Sequence, residues 1–191
     1  KGSVCMCAPS IITDLQRRQY PNKYSLKIAV TGHRNLGDST TICFVEQALR
    51  VLFEHIQKAQ LYNVVALSGL AIGADTIFAE TALSQGIPLK ACLACVDITK
   101  SFAPGLERDR FYTLLKHSYC VHQLPFATCS NTAYMALGYW LVDSCHLLVA
   151  VWNGLPSVAL GGTGDVVSYA QQCGRSVLHI HTVEKQLFFL S

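Results

Sequence analysis

The chain has 191 residues, 51% of them hydrophobic and only 14% charged, against about 25% charged in an ordinary soluble protein, so disorder and charge-patterned linkers are excluded for most of its length. Fifteen Lys and Arg against twelve Asp and Glu leave a net charge of +3, and no basic run extends beyond Arg17-Arg18, so charge alone advertises neither nucleic acid nor an anionic membrane as a partner. The mean hydropathy is +0.31, yet the most apolar stretch, 135–152, carries Asp143 and His146, which breaks the run of about 20 apolar residues that a bilayer-spanning helix needs.

Residues 1–24 read as an arm or linker, and residues 25–191 as one domain. Its first strand is Leu26 to Thr31, closed by Gly32-His33-Arg34. Val45, Ala48, Leu49, Leu52 and Ile56 then recur at helical spacing, predicting an amphipathic helix over about 40–60. Asn63 to Ser68 is an apolar run of strand length, followed by Gly69-Leu70-Ala71-Ile72-Gly73 and a second helix to about Ser84. Gly86 and Pro88 punctuate the next strand, Leu89 to Val96. The more polar segment 97–118 predicts a short helix around Asp109 to Lys116, and Tyr119 to Leu124 a further strand. Residues 131–145 read as a helix apolar nearly all round, Leu147 to Trp152 as a buried strand, and 166–173 and 176–180 as a last helix and strand. Strands that are unbroken apolar runs joined by helices predict a Rossmann-like α/β fold of three α/β/α layers around a mostly parallel sheet.

In such sheets the ligand crevice lies beyond the carboxyl ends of the strands, which singles out four loops. Gly32-His33-Arg34 combines a tight turn with a charged fork suited to phosphate, although an ordinary turn with a surface Arg explains it equally well. Ser68, Gly69 and Gly73 open a helix whose first N–H groups attract anions; Asp75 in its first turn is either a ligand contact or a partner of the helix dipole. Gly161-Gly162-Thr163, with Asp165 behind it, is the strongest phosphate-ready segment: open backbone N–H groups with no side chain in the way. Glu107, Arg108, Asp109 and Arg110 form a charge cluster, and Asn131 with Tyr134 opens the following helix. Tyr134 and Trp152 have the shape to stack on a base, or equally to pack a core.

The nine cysteines, scattered over a chain of this size, read as reduced core residues of a cytoplasmic protein. Cys92-x-x-Cys95 lies on a predicted strand, where residues three apart face opposite sides, and His179-x-His181 is a pair without partners, so no metal site is expected. No cofactor is expected either. The sequence does not begin with Met, and a larger multidomain parent is part of the expectation.

Taken in order, Val30-Thr31-Gly32-His33-Arg34, Ser68-Gly69-Leu70-Ala71-x-Gly-Ala74-Asp75 with Ala79-Glu80, Ala150-Val151-Trp152-Asn153-Gly154, and Gly161-Gly162-Thr163-x-Asp165-Val166-Val167 resemble the SLOG superfamily of Rossmann-like nucleotide-binding domains over about residues 26–181. That superfamily includes the "lonely guy" phosphoribohydrolases, the DNA-processing A proteins and ligand sensors of prokaryotic signalling and defence. In the binding reading that the resemblance implies, Gly32, Arg34, Gly69, Gly73, Gly161, Gly162 and Thr163 hold phosphate, Asp75, Asn131, Tyr134, Trp152 and Asp165 handle sugar and base, and His33 and Ser68 are further ligand-binding residues. The phosphoribohydrolases carry a glutamate just after their glycine-rich stretch; here Val167 and Ser168 stand there. The leading expectation is therefore a sensor for a nucleotide-type small molecule, ADP-ribose-like or cyclic, self-associating and serving a fused or associated effector. An N-ribohydrolase or ribosyltransferase using Asp165 or Glu107 is the alternative, and DNA is not expected as a partner.

Overall fold

The computed structural model describes residues 25–59 and 63–190; the arm expected over 1–24 lies outside them. Seven strands form one sheet: β1 (Leu26–Gly32), β2 (Val64–Ser68), β3 (Leu89–Leu93), β4 (Cys120–Gln123), β5 (Leu147–Trp152), β6 (Ser176–His181) and β7 (Gln186–Leu190). Five helices accompany them: α1 (Ser39–Lys58), α2 (Ala74–Ser84), α3 (Leu106–His117), α4 (Asn131–Ser144) and α5 (Thr163–Gln172).

The order across the sheet is β4-β3-β2-β1-β5-β6-β7. All neighbours run parallel except β6 and β7. The chain winds outward from β1 to one edge, then returns to lay β5 on the other side of β1, with Gly32 opposite Val151 in the register. That return makes β1 and β5 the point where the strand order reverses.

The apolar strands are buried on both faces because each face carries its own helices. Ile28 and Val30 of β1 join Leu49, Phe53, Phe78 and Phe111 from α1, α2 and α3. Ala29, Leu148 and Ala150 face the other way, onto Leu141, Val166 and Ala170 of α4 and α5. This second layer is built largely of small residues and sits close: a Cβ added at Gly138 of α4 would lie 2.5 Å from Val166 Cγ2. The three-layer α/β/α architecture is thus as expected. Among the described residues no helix is long and apolar enough to cross a membrane.

Three details depart from the sequence reading. The strand expected over 89–96 ends at Leu93, and a short 3-10 turn, Ile98–Ser101, follows. The C-terminal β7 was not expected; a turn with Lys185 at φ 51° folds it back onto β6. The cysteines are not uniformly reduced core residues: Cys95 and Cys129 form a disulfide, and Cys43 and Cys173 are exposed, while Cys92 and Cys145 are buried. With Cys95 beyond the strand, the alternation that set Cys92 and Cys95 on opposite sides no longer constrains it.

Candidate functional site

A crevice of about 480 Å³ opens where the strand order reverses, at the carboxyl ends of β1 and β5, a volume within the usual range for small-molecule sites. Its floor is Val30 to Arg34; one wall is the loop from Gly69 to Asp75, another the segment Ile98 to Phe102, a third the first turns of α4, and the roof is Ser157 to Gly164.

Two helices point their N-termini at it. α1 and α4 are capped by side chains of their own, Asp38 accepting from Thr41 N and Ser130 from Ala133 N. α2 and α5 instead begin after Gly73 and Gly162, neither of which supplies a side-chain cap. Part of each first turn is already used, Ala74 N donating to His33 O, Thr76 N to Ala71 O and Asp165 N to Ser157 Oγ, and the remaining N–H groups carry the helix's partial positive charge toward the crevice. Gly73 has φ 89°, and an added Cβ would press on the carbonyl oxygen of His33 at 2.5 Å, so glycine here lets the β1 and β2 loops lie against each other. Ala74 N donates to that carbonyl, and His33 N to Val151 O, which ties three strand ends together. Gly161 has φ 82° and sits against the α4 backbone, where a Cβ would meet Met135 N at 2.9 Å.

The β2 loop carries stored strain. Leu70 is buried at φ 55°, a left-handed conformation that a branched side chain adopts at a cost. Ser68 holds it there: its Oγ accepts from Leu70 N at 3.1 Å and donates to Asp75 O at 3.0 Å. Asp75 itself is buried in the crevice lining, its Oδ2 lying against the Gly69 to Ala71 backbone and accepting weakly from Ala71 N at 3.4 Å. Burial pushes that carboxyl up to about 7, against the pull of the Ala71 amide and of the Arg34 guanidinium. Arg34 is exposed, with its guanidinium 5.0 Å from the centre of the Tyr134 ring, and Tyr134 OH shares a 3.0 Å hydrogen bond with Ser101 Oγ. His33 is pushed below its ordinary value by burial.

Of the residues singled out from the sequence, Gly32, His33, Arg34, Gly69, Asp75, Asn131, Tyr134, Gly161, Gly162 and Thr163 line this one crevice. Ser68 and Gly73 stand behind the lining as supports. Asp165 is committed to its own loop: its Oδ2 accepts from Gly161 N at 3.0 Å and its amide donates to Ser157 Oγ at 2.9 Å. Trp152 is buried beneath the site, stacked on His179 with ring centres 4.3 Å apart, and its Nε1 donates to Leu155 O. Glu107 sits in the first turn of α3, outside the crevice lining. Its neighbours are used structurally, Arg110 in a two-bonded pair with Glu80 at 2.9 and 2.7 Å and Arg108 on Phe102 O. Missed by sequence reasoning were Ser157 to Leu160, Ser101 and Phe102. The exposed apolar side chains of Val158 and Leu160 give no motif, only an unusual density of apolar residues in a loop.

No protein-family model matches the chain, and no curated protein matches it. Among solved structures it is similar to DNA processing protein A from Streptococcus pneumoniae, with a TM-score of 0.57 and 20% identity over 81% of this chain and 50% of that one. It is also similar to DNA processing protein A from Helicobacter pylori, with a TM-score of 0.56 and 16% identity over 84% of this chain and 73% of that one. The chain thus spans half the length of the pneumococcal protein. The Helicobacter structure is described for its single-stranded DNA binding mode, and this corrects the expectation, drawn from net charge, that DNA is foreign to such a domain: +3 summed over the chain says nothing of where charge gathers at the strand ends. The likeness in architecture shows that the chain has a Rossmann-like α/β fold like that of these two proteins.

Proposed function

We propose that the crevice holds the phosphate and sugar of a nucleotide-derived ligand and that the domain is a cytoplasmic sensor which passes this binding event to a fused or associated effector. The observation that carries the reading is the convergence of two glycine-started helix N-termini, α2 and α5, with the Arg34 guanidinium on one crevice. Backbone N–H groups there satisfy phosphate oxygens, Arg34 adds charge, and Tyr134 beside it offers a ring face for a base. Asp75 accepts from, or donates to, a sugar hydroxyl. Exposed Tyr139 on α4, its ring 4.2 Å from that of Tyr169, is the natural place for the self-association this reading includes.

The test is native mass spectrometry of the protein with AMP, NAD, ADP-ribose, its cyclic isomers and cyclic dinucleotides, repeated with Arg34→Ala. One compound bound intact, and weakened about tenfold or more in the variant, supports the sensor. Released free base would replace it with the N-glycosidase reading, in which Asp75 is the acid in the crevice lining.

A second reading, single-strand DNA binding, is favoured by the likeness to the Helicobacter protein. In it, the same crevice receives a backbone phosphate with a base on Tyr134. An oligothymidylate that binds with steep salt dependence and competes with none of the small nucleotides would establish it.

A further inference from the structure

Two walls of the crevice are joined by a covalent bond that no part of the binding reading uses. Cys95 lies two residues beyond β3 and is buried; Cys129 lies next to Ser130, the cap of α4, and is half-buried. Their Cα atoms are 5.3 Å apart and 34 residues separate them, so the bond closes a loop containing all of α3 and β4. On the Cys95 side, Ile98, Ser101 and Phe102 face the crevice; on the Cys129 side, Asn131 and Tyr134 do.

The same seam is crossed by hydrogen bonds. Val96 N donates to Phe126 O at 2.8 Å, Asp97 N to Ala127 O at 3.3 Å, and Cys129 N to Asp97 Oδ1 at 3.0 Å. The hydroxyls of Ser101 and Tyr134 close it nearest the ligand position. Val96, Ala127 and Ser101 are exposed, so water competes for three of these four contacts once the covalent bond is gone.

We infer that the Cys95–Cys129 pair is a thiol–disulfide exchange site that sets the crevice: oxidised, it locks the 96–102 segment to the first turn of α4; reduced, it releases them and weakens ligand binding. The exchange is complete with a dithiol reductant. One thiolate of the dithiol attacks the Sγ of Cys129, the less buried of the pair, the Sγ–Sγ bond breaks, and Cys95 leaves as a thiolate that takes a proton. The second thiol then displaces Cys129, and the two electrons end in the dithiol's own disulfide. Asp97 serves in both states by holding Cys129 N, so the loop loosens without leaving. The inference rests on the crevice being the ligand site, and its test is chosen so that the two can fail separately.

The experiment compares the full chain with and without dithiothreitol, and the Cys129→Ser variant under both conditions. Peptide mapping after alkylation should find Cys95 linked to Cys129 only without reductant. Hydrogen exchange should quicken on reduction in 96–102 and 127–135 while β1 and β5 stay unchanged, and ADP-ribose affinity should fall about tenfold, with the variant behaving as the reduced protein throughout. Exchange in these segments that ignores the reductant overturns the switch. So does one equivalent of zinc retained by the reduced protein: Cys95, Asp97 and Cys129 bring their ligating atoms within 4.8 Å of one another, and such a result would make them a metal centre. AMP, NAD, ADP-ribose, its cyclic isomers and cyclic dinucleotides all ignored in both states, with exchange still responding, overturn the ligand reading and leave the redox release of the two walls standing.

Discussion

Asp75 is buried beside the very helix N-terminus that is offered to an anionic ligand, so its charge state sets what the crevice can hold. Its carboxyl titrates at about 7 in the folded chain against an ordinary value of 3.8, so between these values the folded protein keeps a proton that the unfolded chain gives up. This contribution to stability is therefore full below about pH 4 and is lost as pH rises through 7, on the order of 4 kcal/mol in all. Burial pushes His33 and His179 down, and they act in the opposite sense, so the difference between two proteins is the clean readout. Asp75→Asn should flatten the pH dependence of the melting temperature between pH 5 and 8 and be the more stable protein at pH 8; parallel curves for the two would show that Asp75 is ionised in the fold. A separate expectation concerns Ser68, whose hydroxyl both accepts and donates in holding Leu70 at positive φ. Ser68→Ala leaves the buried Leu70 N–H unanswered and should cost about 1–3 kcal/mol in denaturant unfolding.

At the level of elements, the glycines mark where two pieces of chain must touch, and each has its own neighbour. Gly138 brings α4 onto the first turn of α5, at the end of the phosphate-ready loop, with Val166 filling the space that a side chain would need. Gly138→Ala gains helix propensity of up to about 1 kcal/mol but forces the branched Val166 to move, and overpacking of this kind costs about 1–3 kcal/mol. The net change should be destabilising, and Val166→Ala in the same chain should recover part of it, a coupling that a double-mutant cycle in urea reads directly. Gly162 has a different constraint. Its φ is an ordinary −72°, and an added Cβ would lie 2.7 Å from Ser157 Oγ, the atom that accepts from Asp165 N. A bulky residue there would therefore disturb the roof loop as well as the ligand position. What the sequence discloses at this scale follows the same division. Gly161-Gly162-Thr163 and Gly69 are legible because their chemistry is local to a strand end. Ser157 to Leu160 are not, because only the fold of that loop over α4 brings them to the rim of the crevice. Cys95 and Cys129 are invisible for a related reason: with nine cysteines, spacing does not select a pairing.

Over the whole molecule, the sheet order distributes stability unequally. β1 and β5 have strands on both sides and helices on both faces, with Ile28, Ala29, Leu147 and Val149 fully buried. β4 is an edge with alternate residues exposed, and β7 is an edge that pairs only with β6. Legibility follows the alternation of elements: unbroken apolar runs in the centre announce strands buried on two faces, and the edge strand β4 is legible by its place after α3, whereas the short Gln186–Leu190 at the end of the sequence lacks the helix-and-strand alternation that identified the others. The expected consequence is a gradient in native-state hydrogen exchange. Amides of β1 and β5 should open only by global unfolding, with denaturant slopes equal to that of the whole chain, while those of β4 and β7 should exchange through local openings nearly independent of denaturant. The crevice sits on the two most protected strands and is walled by segments tied to the less protected side, so ligand capture should raise protection in 96–102 and 131–135 without altering the global limit set by β1 and β5 beyond the binding free energy itself. A uniform rise across all segments, edges included, would mean instead that the domain opens as one cooperative unit and that the walls have no independent motion for a ligand to arrest.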